Sequence, residues 1–231
     1  MTPKKAPQKT PTASRKAQPK SRATPPANRA AAHKAPMHKA TSSATSKGKK
    51  VTLLSSALAY SGPLFDVYTD YIREPGGTDS RRDVIRHSGS VVILAVDDSK
   101  NKKDPLVLLE RQYRHAAGQY MWELPAGRRE PQEAVLPGAK RELMEETGYR
   151  ARRWTKLLRY YASPGFLGEW MQIYLAEGLA PGPTQPDEDE YIECQMVPLS
   201  EALRWVESNK IIDGKSMIAL LLYDRLRRTR R

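Results

Sequence analysis

The chain has 231 residues, 39 Lys and Arg against 26 Asp and Glu, and a formal net charge of +13. Its one cysteine, Cys194, excludes an intramolecular disulfide and a four-cysteine zinc site, fits a reducing cytosolic setting, and reads as a buried small hydrophobe rather than a nucleophile. Apolar runs such as MIALLLY (217–223) fall far short of the roughly 18 residues that span a bilayer, and the first 50 residues have no apolar centre for a secretory signal. A soluble, cytoplasmic protein without a membrane partner is expected.

The excess charge is local. Residues 1–50 hold ten Lys and three Arg and no acid, while the remaining 26 basic side chains balance 26 acidic ones. This segment is built almost only from Lys, Ala, Pro, Thr, Ser, Gln and Arg, without Phe, Trp or Tyr, so it cannot bury enough apolar area to offset chain entropy. It is expected to be a disordered basic tail. Three readings stay open for it: a solvated tail, a sequence-independent contact with RNA, DNA or another polyanion, and an organelle transit segment. The last lacks an amphipathic period.

Beyond the tail, strands and helices interleave. Residues 51–88 are read as N-terminal strands and 89–231 as the main domain. SVVILAV (90–96) and PLVLLERQY (105–113), separated by a polar turn, predict a hairpin, and MWEL (121–124) a short strand stopped by Pro125 and Gly127. AVLPGAKRELMEETG (134–148) predicts a helix with Pro137 in its first turn and Gly148 just past its end. WTKLLRYYA, EWMQIYLAEGL and YIECQMVPL follow as strands, then helices from N-caps at Ser200 and Asp213. The pattern implies an α/β (α+β) fold, a mixed sheet with helices on its faces. No internal repeat is present.

The helix over 134–148 carries the chemistry. Glu142, Glu145 and Glu146 share one face at i, i+3 and i+4, where like charges repel. Such a cluster alone is a solvated acidic face, with Arg141 compensating Glu145 one turn on. Its flanks point elsewhere: Gly127 follows a strand and admits close backbone approach, and Glu133 lies six residues on. Hard oxygen ligands beside a backbone carbonyl suit Mg²⁺ or Mn²⁺ held together with substrate phosphates.

The segment GRREPQEAVLPGAKRELMEETGY, from Gly127 to Tyr149, resembles the Nudix hydrolase signature GX5EX7REUXEEXGU. Gly127, Glu133, Arg141, Glu142, Glu145, Glu146 and Gly148 match every fixed position and Leu143 the first bulky aliphatic one; Tyr149 departs at the last, which bears on packing rather than on ligands. The resemblance implies a Nudix-type α/β/α sandwich. It also implies divalent-metal ligation by Glu142, Glu145, Glu146 and the carbonyl of Ala126, with Arg141 and Glu133 bracing helix and loop. Pro164, sixteen residues beyond Gly148 in YASPGFLGEW, together with ERQYR (110–114), WELPAG (122–127) and RRDVIRHSGSVV (81–92), is similar to the ADP-ribose (ADP-sugar) pyrophosphatase branch.

That branch implies Mg²⁺-dependent hydrolysis of ADP-ribose or a related ADP-sugar to AMP and a sugar phosphate. Arg114 and Arg82 would contact the diphosphate or terminal ribose, and Glu169 the active site. Glu188, or failing it Glu190, would be the general base, although PTQPDEDE also reads as a plain solvated loop. A homodimer sharing contacts through the segment around 60–85 is implied as well. Other classes remain: a Nudix hydrolase of a dinucleotide cofactor, GDP-sugar or capped RNA, and a non-catalytic Nudix-fold RNA-binding module. A module freed from catalysis would have no physical reason to keep three mutually repelling carboxylates.

Overall fold

The structure, a computed structural model, describes residues 50–183 and 191–229. The basic tail, apart from Lys50, and both base candidates, Glu188 and Glu190, lie outside the described residues. Thr52–Ser61 (β1), Asp66–Arg73 (β2) and Asp79–Arg86 (β3) form an antiparallel three-stranded sheet in that order.

A larger sheet uses Ser90–Asp97 (β4), Leu106–Arg114 (β5), Gln119–Glu123 (β6), Ala126–Arg128 (β7), Tyr149–Tyr161 (β8), Trp170–Pro181 (β9) and Glu193–Pro198 (β10). Its order is β10-β5-β4-β9-β8, with β6 on β5 and β7 on β4. The β4–β9 pair is parallel, from Ser90↔Met171 to Val96↔Glu177, and every other pair is antiparallel, so the sheet is mixed.

β4 explains the layering. Its run of Val91 to Val96 is wholly buried because both faces are covered. Val92, Leu94 and Val96 face a core with Ala202 and Trp205 of helix α2 (Leu199–Glu207) and Ala219, Leu220 and Tyr223 of helix α3 (Gly214–Thr229). The alternate residues Val91, Ile93 and Ala95 face Ala139 and Leu143 of helix α1 (Val135–Thr147). A period of two thus feeds two cores, which makes the α/β/α sandwich. Tyr149 packs half-buried against the α1 side.

Several expectations need correction. The hairpin of 90–113 exists only at its closed end, Val96↔Val107 and Asp97↔Leu106. Beyond it the strands splay because β7 takes Ser90–Val92 and β6 takes Glu110–Arg114 as partners. The strand expected from Trp154 begins at Tyr149; it is a sheet-edge strand whose exposed arginines masked the alternation. Cys194 is exposed, because β10 is the other edge. Its sulfur still leans inward, donating to the Glu146 carbonyl at 3.7 Å, and desolvation there, with the Glu110 and Glu146 carboxylates, pushes the thiol up to about 12.

The helix starts also differ. Asp213 caps α3 as expected, its Oδ2 accepting from the Ser216 N–H at 3.0 Å and the Ser216 hydroxyl at 2.6 Å. Ser200 is not the cap of α2: the helix begins at Leu199, and Asp104 from the β4–β5 turn accepts the Ser200 N–H at 2.9 Å and its hydroxyl at 2.7 Å. The orphan donor is satisfied from 96 residues away. Asp104→Ala should therefore cost about 1 kcal/mol in denaturant unfolding, while Ser200→Ala, which keeps the N–H bond, costs less than half of that. An equal loss in both variants would return the cap to Ser200.

Candidate active site

Where β4 and β5 part, an open cavity of about 740 Å³ forms, lined by Ser90 of β4, Gln112 and Arg114 of β5, and Ala126 and Gly127 of β7. α1 supplies Arg141, Glu142, Glu145 and Glu146; Leu64, Phe65 and Ile85 come from the N-terminal sheet and its turn, and Leu167 and Glu169 from the loop before β9. Asp213 and Lys215 add to the lining from the start of α3, and Arg128 and Glu130 from the end of β7 and the segment between it and α1.

α1 is held through its C-terminal turns. Gly148 closes it at φ 70°, a left-handed position suited to glycine, with its N–H donating to Met144 O at 2.8 Å. In the two turns before it the carboxylates lie against β7. The Gly127 hydrogen is what admits Glu142: a Cβ there would sit 2.0 Å from the carboxyl carbon. Glu146 accepts the Ala126 N–H at 3.1 Å. Glu142 and Glu146 are only 9% and 7% exposed, yet both face the cavity.

Arg141 is the hub of the acidic face. It donates to Glu133 at 3.0 and 3.1 Å and to Glu145 at 2.8 Å, and lies 2.9 Å from a Glu142 oxygen. The bonded Glu133 raises the guanidinium well above its ordinary value, and Arg141 in turn holds the Glu133 carboxyl below the usual carboxylate range. Glu133 also accepts the Glu130 N–H at 3.1 Å, which ties the β7–α1 loop to the helix.

Across the cavity Arg114 grips Glu123 in a fork-to-fork pair at 2.9 and 2.8 Å. Burial alone would push Glu123 up, but Arg114 and Lys215 bring it below the usual range. A third wall joins Ser90, whose hydroxyl donates to Glu169 at 2.5 Å, and His87, held below the ordinary imidazole range by burial against the opposing pull of Glu169.

The remaining candidates are less central. Arg82 pairs with Glu74 at 2.7 Å and does not line this cavity; Pro164 borders a smaller apolar depression with Val84, Tyr161 and Phe166. Glu123, Lys215, Asp213, Ser90 and His87 were not anticipated from sequence. The signals near them were the segment RRDVIRHSGSVV, which contains His87 and Ser90, the WELPAG lead-in, which contains Glu123, and the expected cap Asp213.

The donor set fits a divalent cation. Among the described residues no three acidic side chains already converge as an ion cage. The lining nevertheless holds six carboxylates (Glu130, Glu142, Glu145, Glu146, Glu169, Asp213) against four cationic side chains (Arg114, Arg128, Arg141, Lys215), a formal excess of two negative charges. Hard oxygens in an open, negatively charged site suit an ion that keeps waters or phosphates in its remaining positions. Glu142, Glu145 and Glu146 would hold it, and bound there it would neutralise phosphate charge and lower the pKa of a coordinated water.

Gly127→Ala tests the close approach. The added methyl should displace the Glu142 carboxylate and lower hydrolysis of a nucleoside diphosphate substrate on the order of 10²-fold, with the far-ultraviolet circular dichroism unchanged. Wild-type rates in the alanine variant would mean that the position of Glu142 is unimportant.

Comparison with known proteins agrees with this geometry. The NUDIX domain model matches residues 86–219. An ADP-ribose pyrophosphatase of Bacillus subtilis is 37% identical over 163 residues, 70% of this chain and 85% of that protein. One of Mycobacterium tuberculosis is 36% identical over 174 residues, 73% and 80% of the two chains. A crystal structure described as an ADP compounds hydrolase superposes with a TM-score of 0.69 at 22% identity, covering 80% of this chain and 98% of that one, a likeness of fold. Nudix hydrolases generally use divalent metals, as the acidic wall of α1 would require. With the domain match, these relatives and the carboxylate-bearing helix in agreement, the chain belongs to the Nudix hydrolase family and is an enzyme.

Proposed function

We propose that this hydrolase cleaves the diphosphate of ADP-ribose or a related ADP-sugar, releasing AMP and a sugar phosphate, with Mg²⁺ or Mn²⁺ held by Glu142, Glu145, Glu146 and the carbonyl of Ala126. The observation that carries the reading is that one cavity joins the carboxylate face of α1 to Arg114. Its volume of about 740 Å³ suits a nucleotide-sized ligand. The relatives named ADP-ribose pyrophosphatase support the choice of substrate.

The residues divide the work. Arg114 offers a guanidinium to non-bridging phosphate oxygens, where its planar fork outperforms a point charge. Glu169, held by Ser90, is an acceptor suited to a sugar hydroxyl. Leu64, Phe65, Ile85 and Leu167 form an apolar rim that limits water access. Glu188, with Glu190 second, takes the proton of the attacking water as that water adds to phosphorus and the bridging oxygen leaves.

A substrate panel of ADP-ribose, ADP-glucose, GDP-mannose, NADH and capped RNA, read by AMP or phosphate release, tests the reading. ADP-ribose should lead in kcat/KM. Glu146→Gln should lose on the order of 10²-fold or more on it, and Glu188→Gln on the order of 10²-fold. A panel led by NADH or capped RNA would replace the substrate, and an active Glu146→Gln would remove the ligand assignment.

Two partner readings accompany it. β1 is exposed along all ten residues and presents Leu53, Leu54, Leu58 and Tyr60 on a sheet edge, a surface that a second copy of the chain would cover. Sedimentation should give a dimer, converted to monomer by Leu58→Asp; a monomeric wild type rejects this. Residues 1–50 would add a salt-dependent attraction to polyanions, lost from heparin retention when they are removed.

A further inference from the structure

The guanidinium of Arg114 is oriented by a residue that is not among those lining the cavity. Glu123, at the end of β6, is 1% exposed and binds Arg114 through both oxygens, Oε1 accepting from Nε and Oε2 from Nη2. This leaves Nη1, on a side chain that lines the cavity, with its two donors uncommitted to Glu123. The same Oε2 also accepts from Nζ of Lys215, which is 7% exposed and reaches in from the first turn of α3. Lys215 is steadied by Asp213 at 3.1 Å, and the neighbouring Ser216 hydroxyl accepts the Leu124 N–H at 2.7 Å, so α3 is fastened to the end of β6 at two successive residues.

A long arginine side chain lining an open cavity has many rotamers, and ordering it costs entropy at the moment of binding. A bidentate carboxylate fixes its plane beforehand. That carboxylate is itself buried, and a buried charge held by one half-exposed cation is poorly compensated; Lys215, largely buried in the cavity wall, supplies the second cation.

We infer that Glu123 is a positioning residue for substrate binding, which together with Lys215 presents the Nη1 edge of Arg114 to the diphosphate. The inference rests on the proposed reading of Arg114 as a phosphate contact. It makes the start of α3 part of the substrate-binding apparatus, although Lys215 lies 92 residues from Glu123 along the chain. Glu123 acts in this scheme only through Arg114, which gives it a distinctive signature.

In the full-length chain, Glu123→Gln should raise KM for ADP-ribose about tenfold with kcat changed less than threefold. Arg114→Met should do at least as much. The double variant Arg114→Met/Glu123→Gln should be no worse than Arg114→Met alone, since the guanidinium to be positioned is already gone. Glu123→Gln/Lys215→Met, which removes both buried charges together, should fold and show the same rise in KM, guarding against a variant lost to misfolding.

The dissociation constant of ADP, measured by calorimetry, should rise in parallel. That measurement decides the inference even if ADP-ribose proves not to be the substrate. Additive losses in the Arg114/Glu123 double variant would mark Glu123 as merely structural and overturn the proposal. So would a fall in kcat at constant KM, or unchanged ADP affinity in both Glu123 variants.

Discussion

The site depends on Arg141. Three carboxylates at i, i+3 and i+4 on one helical face repel, and a fourth, Glu133, lies opposite them. Arg141 stands among all of these except Glu146, within 3.0 Å of Glu133, Glu142 and Glu145. Its fork geometry allows several oxygens to share one cation, which an ammonium on the same stem would do less well. The guanidinium also reaches the carbonyl of Arg128 at 3.3 Å, so the helix and the β7 loop are set by the same group that tempers the repulsion. The compensation is incomplete. Three carboxylates share one arginine and Glu146 lies outside its reach, a surplus that would suit a divalent ion.

Geometry then follows from backbone constraints at two glycines. Gly148 stops α1 so that its acidic last turns lie over β7, and Gly127 supplies a surface with no side chain for Glu142 to rest on. Neither position tolerates a substitute well, one because of its positive φ and the other because of contact. The splay of β4 from β5 provides the room: a full hairpin would hold the two strands side by side along their length, whereas β7 and β6 pair with their far ends and leave Ser90 and Gln112 lining the cavity between them.

What could be read from the sequence follows the same logic. The acidic helix and its glycine stop were legible because carboxylates, brace and cap fall within 23 consecutive residues, Gly127 to Tyr149. The double-sided burial of β4 was legible as an uninterrupted apolar run. Features made by distant pairs were not. Asp104 caps a helix 96 residues on, so Ser200 looked like the cap. Glu123 and Lys215 meet across 92 residues, and each looks ordinary in its own segment. The start of β8 was hidden because its exposed arginines carry no hydrophobic alternation, and Cys194 looked buried because a short strand does not announce that it is an edge.

Net charge misleads for a related reason. The +13 of the chain belongs to its two ends: thirteen basic side chains in residues 1–50 and five arginines in the last seven residues, leaving 51–224 with 21 basic and 26 acidic groups. Within that mildly acidic body the cavity itself has two more formal negative charges than positive ones. A diphosphate entering such a site without a counter-ion would be repelled by α1 even while Arg114 attracts it, and at separations near 4 Å each such interaction is worth about 1–4 kcal/mol, depending on screening. Arg114 alone is too little to reverse the sign. On the proposed reading the arrangement makes sense when cations and substrate arrive at the same wall, where the acids would take the ion and the pre-oriented guanidinium the phosphate beside it.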